Sequence, residues 1–311
     1  MLHPYFLCHL NLPSAGAQYG RPDTGPALRW VASRHGHTFF AMLAEKSKTG
    51  GSKVKVGFIQ WDVQRELDAN LETVWRHLED KDWDLTVLPE LCLGGYLFPD
   101  KTALERIAQP VPQGEGVQRM ADLSRKQGGA LLFGLAEKGE DGKIYNTAVL
   151  VDEGQYVGKY RKIHLSDWEK QFFAPGENNP VFSLRGWTIG VEICFDLWFP
   201  EVARQQIRQG ARLLCALGNF GGRQSWLLAQ ARALENGTPL VLCNRVGQES
   251  LPQIQANFLG KSMVCAPFGQ LLADGKEGAE DAQGAWVEQS PRGNVICRDL
   301  EEEIARHYES K

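Results

Sequence analysis

The sequence predicts an α/β protein in which a mixed β-sheet is sandwiched by helices. Three observations carry that expectation. Short runs, apolar but for Thr86, at residues 85–88 and 213–217 read as strands buried on both faces. Segments whose apolar residues recur at helical spacing separate them. Hairpin signals at Asp152-Glu153-Gly154 and Pro267-Phe268-Gly269 add antiparallel pairs to the parallel ones, which is what makes the sheet mixed.

Taken in order, residues 54–60 (VKVGFIQ) alternate as a first strand. A helix follows with Leu67, Leu71, Val74, Trp75 and Leu78 on its apolar stripe, capped at Asp68 or a near neighbour. Pro89 stops the strand over 85–88 and leaves Glu90 at its carboxyl end. A second amphipathic helix over 117–126 runs through Gly128-Gly129 into a strand over 130–136. Residues 145–151 and 156–162 pair as a hairpin. Thr188 to Ile193 alternates and carries β-branched residues, and Phe199-Pro200 then opens a helix with proline in its first turn. A strand over 213–217, a helix over 223–236 closed by Gly237, and a strand over 240–244 follow. Residues 262–266 and 270–273 read as a further hairpin, 274–283 as a solvated acidic loop, and 299–308 as a terminal helix. No internal repeat of solenoid period is present.

A chain of 311 residues, 43% hydrophobic and 23% charged, is long enough for one large domain. Its organised part spans 53–290, between a Pro-, Gly- and His-containing extension over 1–52, expected to be poorly ordered, and a tail over 291–311. A formal net charge of −4 gives no electrostatic case for nucleic acid, and no basic run points to a membrane surface. The first twenty residues lack a basic n-region and are broken by Pro4 and Asn11, which makes a poor signal peptide, so a cytoplasmic protein is expected. Seven cysteines (Cys8, Cys92, Cys194, Cys215, Cys243, Cys265 and Cys297) contain no C-x-x-C pair. Reduced thiols are therefore expected, with Cys215 and Cys243 in the core.

Three side chains carry candidate chemistry. Cys194 stands where a strand ends and a helix is about to begin, so its thiol faces the positive end of a dipole, with the Phe195 amide nearby as an oxyanion donor. Read alone, a cysteine in such an apolar run is more often a packing residue. Glu90, in LTVLPELCLGGY, sits at the sheet end where open α/β folds collect ligands, and desolvation there would suit it to general base work. Alone, it is also a turn charge. Lys162, in GKYRKIHL, shares a strand face with Tyr156, Gly158 and Tyr160; if that face is internal, the lysine needs an anionic partner. Alone, it is a surface charge, as its neighbours Lys159 and Arg161 are expected to be.

Together, PELCLGGY, YRKIHL and GVEICFDLWFPE resemble the Glu-Lys-Cys signature of the nitrilase superfamily of carbon-nitrogen hydrolases. The similarity runs from about Lys53 to Asp274 and includes GNF (218–220), ARALENG (231–237), NRVG (244–247) and GKS (260–262). The resemblance implies an αββα sandwich, with Cys194 as nucleophile, Glu90 as proton acceptor, and Lys162 and the Phe195 amide as oxyanion holders. Glu169, in HLSDWEKQFF, matches a second glutamate that positions the substrate. Tyr96, Trp168, Asn219 and Phe220 lie beside the motifs and are expected to line the pocket or, failing that, the core. A small-molecule amide substrate, assembly as a homodimer or higher homo-oligomer, and no metal or organic cofactor are implied. Cys194-Phe195-Asp196 resembles the amidase form rather than the C-W-E of nitrilases, and HLSDWEKQFFAPGE departs from the H-x-P-D pattern of carbamoylputrescine hydrolases. An amide is therefore favoured over a nitrile, with nitrile hydrolysis and a non-catalytic interaction protein as the alternatives. The tail from about Gly284 fits the family pattern poorly.

Overall fold

The computed structural model describes residues 53–288. The extension expected over 1–52, the helix expected over 299–308, and Cys8 and Cys297 lie outside the described residues. Strand β1 (Lys53–Gln60) leads into α1 (Leu67–Leu78), β2 (Leu85–Val87), α2 (Lys101–Ile107) and α3 (Glu115–Gln127). Next come β3 (Ala130–Lys138), the hairpin β4 (Ile144–Asp152) and β5 (Gln155–Arg161), then β6 (Val181–Leu184) and β7 (Trp187–Ile193). The second half holds α4 (Pro200–Arg208), β8 (Leu213–Gly218), α5 (Gln224–Asn236) and β9 (Leu240–Asn244). It ends with the hairpins β10 (Val246–Leu251) with β11 (Ile254–Leu259) and β12 (Met263–Cys265) with β13 (Leu271–Asp274), and with β14 (Asp281–Glu288).

Twelve strands form two six-stranded sheets, in the orders β14-β1-β2-β3-β4-β5 and β13-β12-β9-β8-β7-β6, and β10 and β11 pair apart from them as a two-stranded sheet. In each six-stranded sheet, three parallel strands fill the centre and antiparallel strands flank them. Alternation in β1 sorts the layers: Val54, Val56 and Phe58 enter the core between the sheets, while Ile59 packs toward the helices. From the second sheet Val191, Ile193, Leu217 and Val241 meet them. Leu71, Val74, Val117 and Met120 of α1 and α3 cover the outer face of the first sheet. Ala203, Ile207, Ala229 and Ala233 of α4 and α5 cover the second. The four-layer αββα order is therefore present, and each wholly buried Phe or Leu in it contributes roughly 1.5–3 kcal/mol.

Three readings need correction. One mixed sheet was expected from the strand pattern, and there are two six-stranded ones, because doubly buried strands look alike whichever sheet they join. The short α2 was not anticipated, although Asp100 caps it by accepting the Ala103 N–H at 2.8 Å. The cap of α1 falls on a near neighbour of Asp68, as expected: Glu66 takes that place, and the buried Asn70 amide ties in the entry, bonding Gln64 and Glu66. The acidic segment 274–283 is not all loop, since β14 begins at Asp281 and pairs along the whole of β1, taking in Gly284 to Glu288 of the tail. Its weak side-chain pattern hid it, because backbone pairing alone secures an edge strand. Lys159 and Arg161 are surface charges as expected, 30% and 29% exposed, but not free ones. Both bond to Glu137, which is buried and also accepts from Thr147.

Candidate active site

The ends of β2, β5, β7 and β8 converge on the layer between the sheets. Pro89 ends β2, and the turn carrying Glu90 lies flat on β3 because position 134 is glycine. A Cβ at Gly134 would stand 2.4 Å from the Leu91 nitrogen and 2.8 Å from the Glu90 Cα, so any side chain would push the turn away. Lys162 extends the β4–β5 pairing by one residue, its N–H donating to the Asn146 carbonyl at 2.8 Å. The face shared by Tyr160 and Lys162 is internal, with both side chains fully buried.

Lys162 Nζ donates to Glu90 Oε1 at 2.7 Å and to Glu169 Oε1 at 2.5 Å. Asn146 Nδ2 donates to the same two oxygens, at 2.7 and 3.0 Å. Ser166 N–H holds the other Glu169 oxygen at 2.9 Å. Burial alone would discharge all three ionisable groups, but the partners separate them. Burial, only partly offset by Lys162, leaves the Glu90 carboxyl above its usual range. Burial acts on Glu169 too, yet Lys162 and the Ser166 donors outweigh it and hold that carboxylate below its usual range. Against burial, Glu169 and then Glu90 hold the Lys162 ammonium well above the usual lysine value. Oε2 of Glu90 has no hydrogen-bond partner among the described residues.

Cys194 begins a 3₁₀ turn (Cys194–Trp198) at φ +47°, a left-handed conformation costly for a residue with a Cβ. Asp196 holds it there. Its buried carboxylate accepts the Ile193 N–H at 3.2 Å, the Tyr160 hydroxyl at 2.8 Å, the His164 N–H at 2.8 Å, and pairs with His164 Nδ1 at 3.0 Å. The His164 ring stacks on Phe199, centroids 3.7 Å apart. The dipole activation expected for the thiol does not prevail. The α-helix starts only at Pro200, and burial, then the Glu90 charge, push the thiol well above its ordinary value, with Lys162 and the Asn219 backbone opposing. Cys194 is thus a neutral thiol at rest.

Of the remaining expected residues, Tyr96 and Asn219 join this cluster. The Tyr96 phenol feels the charges of Glu169, Lys162, Glu90 and Cys194, after burial the main influences on it. Asn219 Nδ2 donates to the Glu90 carbonyl at 3.1 Å. Trp168 adjoins Glu169, its ring 5.1 Å from Phe172 and its buried Nε1 without a hydrogen-bond partner among the described residues. The Phe195 ring meets Phe199 edge-on at 5.5 Å. Phe220 packs against two apolar clusters and over Gly218, its backbone bonded to the Asn244 amide. Sequence reasoning missed Asn146 and passed over Asp196 as a structural hub. The available signal was a polar residue inside an apolar strand, YNTAVLV, which must find a partner. A separate charged cavity of about 560 Å³ lies around Glu137, Lys138, Lys143 and Arg161, and none of the Cys194 cluster lines it. Among the described residues no group of His, Cys, Asp or Glu is placed to hold a metal ion, and no helix is long and apolar enough to cross a membrane.

The family model described as Carbon-nitrogen hydrolase matches residues 55–290. A protein from Pyrococcus abyssi named "Nitrilase" is 36% identical over 252 residues, covering 79% of this chain and 94% of that protein. The N-carbamoylputrescine amidase of Solanum lycopersicum is 30% identical, covering 74% and 83%. Among solved structures, a carbon-nitrogen hydrolase from Helicobacter pylori G27 superposes with a TM-score of 0.71 at 25% identity, over 80% of this chain and 93% of that one.

Proposed function

This chain belongs to the carbon-nitrogen hydrolase family, and from that premise we propose that it cleaves a non-peptide carbon–nitrogen bond of a small amide or N-carbamoyl compound through a cysteine thioester. The observation that carries the reading is a fully buried lysine bonded to two glutamates beside a strained cysteine. As the Cys194 sulfur attacks the carbonyl carbon, its proton passes to the free Oε2 of Glu90, whose raised proton affinity suits a base for so weak an acid. The carbonyl electrons move to oxygen, and Lys162 and the Phe195 N–H receive the oxyanion, each such donor contributing about 2.7–4 kcal/mol. Collapse re-forms the carbonyl and breaks the carbon–nitrogen bond while Glu90 returns the proton to the leaving nitrogen. Ammonia or an amine departs. Water then attacks the thioester, giving a proton to Glu90, which passes it to the departing sulfur. Glu169 stays ionised throughout and keeps Lys162 charged.

Cys194→Ala is expected to abolish ammonia or amine release from a panel of short-chain amides, ω-amides and N-carbamoyl compounds with the fold unchanged; retained turnover would refute the reading. Selective alkylation of Cys194 by iodoacetamide, faster than the other cysteines, separates it from a non-catalytic protein. The Cys194-Phe195-Asp196 form favours amides, while the name of the Pyrococcus abyssi relative favours nitriles. Product analysis with matched nitrile and amide substrates decides between them. The same reading includes a cytoplasmic homodimer or larger homo-oligomer, which light scattering tests.

A further inference from the structure

We infer that Glu249, on the β10–β11 hairpin, is a positioning residue that fixes Tyr96 as a hydrogen-bond donor to the bound substrate. The inference rests on the reading of Cys194 as nucleophile given above. Tyr96 sits in the loop Gly94-Gly95-Tyr96-Leu97 that follows the Glu90 turn. One carboxylate holds two successive amides of that loop. The Tyr96 N–H donates to Glu249 Oε1 at 2.8 Å and Oε2 at 3.1 Å, and the Leu97 N–H to Oε2 at 2.8 Å. Gly95 is required for this approach: it lies at φ +88°, and a Cβ there would stand 3.0 Å from Glu249 Oε1.

The carboxylate is itself anchored. Arg245, fully buried, bonds to Glu249 Oε1, while its other arm reaches Asp62 at 3.2 Å and the Val63 carbonyl at 3.0 Å, beyond the end of β1. Arg65 bonds to Glu249 Oε2 at 3.2 Å and also to the Leu97 carbonyl. The Arg245 guanidinium lies 4.3 Å over the Phe258 ring of β11, and Phe258 meets the Tyr96 ring edge-on at 6.0 Å. Backbone and ring of Tyr96 are thus both held by one hairpin. Two cations and two amides compensate the buried charge of Glu249, which gives the geometry little freedom. The Tyr96 hydroxyl, by contrast, bonds to no described residue, although it lies among Glu90, Lys162, Glu169 and Cys194. Burial pushes its proton affinity well up, so the phenol stays a neutral donor. A substrate carbonyl or amide group is the partner it lacks.

The test compares wild type, Glu249→Gln, Tyr96→Phe and the double variant, all labelled with 3-fluorotyrosine. In Glu249→Gln the Tyr96 fluorine resonance, identified by its loss in Tyr96→Phe, is expected to shift or broaden while those of the other tyrosines hold. Turnover of the best small amide should fall about 10- to 100-fold, mainly in kcat. In the Tyr96→Phe background, Glu249→Gln should cost no more than about twofold further. An unmoved Tyr96 resonance, or full additivity of the two losses, overturns the inference. If wild type hydrolyses neither amides nor nitriles, the functional reading fails, and the resonance alone still decides whether Glu249 places Tyr96. Should Glu249→Gln not fold, Arg65→Met, which removes only the exposed arm, is expected to shift the same resonance with a smaller rate loss.

Discussion

In front of Cys194 and behind it, the protein buries carboxyl groups under opposite conditions. In front lie Glu90 and Glu169, bonded to Lys162 and bridged by Asn146. Behind, on the face of β7 turned away from the core between the sheets, lies Glu192, with neither oxygen hydrogen-bonded among the described residues. Burial, reinforced by Asp196, raises the Glu192 carboxyl to about 8, so it is a neutral group at pH 7. Glu137 marks the other extreme: burial would raise it too, but Arg161, Lys159 and Thr147 hold it below its usual range. Depth therefore does not set the charge of a buried acid. The donors within reach do, and the site in front of the thiol uses them to keep one glutamate ionised and leave the other ready to take a proton.

The strongest way to break this contrast is Lys162→Met. It removes the cation and leaves two like charges buried together. We expect a loss of about 10³-fold or more in turnover and a destabilisation of roughly 3–5 kcal/mol, read from amide hydrolysis and urea unfolding. Wild-type stability in that variant would mean that charge does not organise the cluster.

Glu192→Gln should do the reverse. The folded carboxyl at about 8 holds a proton that the unfolded chain, with an ordinary value of 4.5, has lost. Stability therefore falls as pH rises from about 4.5 to 8 and is level on either side. The penalty is at most about 5 kcal/mol, at roughly 1.4 kcal/mol per pH unit. Glu192→Gln should be more thermostable than wild type at pH 8 and indistinguishable at pH 4, as scanning calorimetry across that range would reveal.

Asn146→Ala sharpens the comparison more gently. Two carboxylates each lose a donor, at about 1–3 kcal/mol in stability, measured by denaturant titration. The smallest effect is in the pH profile. The proposed mechanism requires ionised Glu90, so on that reading the acid limb of kcat/KM should lie above the ordinary carboxylate range, activity being lost as pH falls through the raised value. Because the Asn146 bond lowers that value, Asn146→Ala should move the limb to higher pH.

Much of the frame was legible in advance. Strands β1, β2, β3, β7, β8 and β9 announce themselves by apolar runs or alternation, and the residues Glu90, Lys162, Glu169 and Cys194 by local motifs, because both signals lie within a few neighbours along the chain. The hairpin β10–β11, in which Gln248, Glu249, Ser250, Gln255 and Asn257 break up any apolar run, has no such signal. Its contribution comes through Glu249 reaching back 153 residues to Tyr96.

The sequence by itself determined the apolar central strands, the long amphipathic helices and the candidate reactive side chains, since those follow from local spacing and chemical type. Only the tertiary structure decided that the core strands divide into two stacked sheets, that Asn146 bridges two glutamates, that Asp196 holds the cysteine turn, and that Glu192 is left without a donor among the described residues. Each of these depends on which groups the stacked layers bring within 3 Å or so, and partners such as Asn146 and Glu90, 56 residues apart, meet only when the layers close.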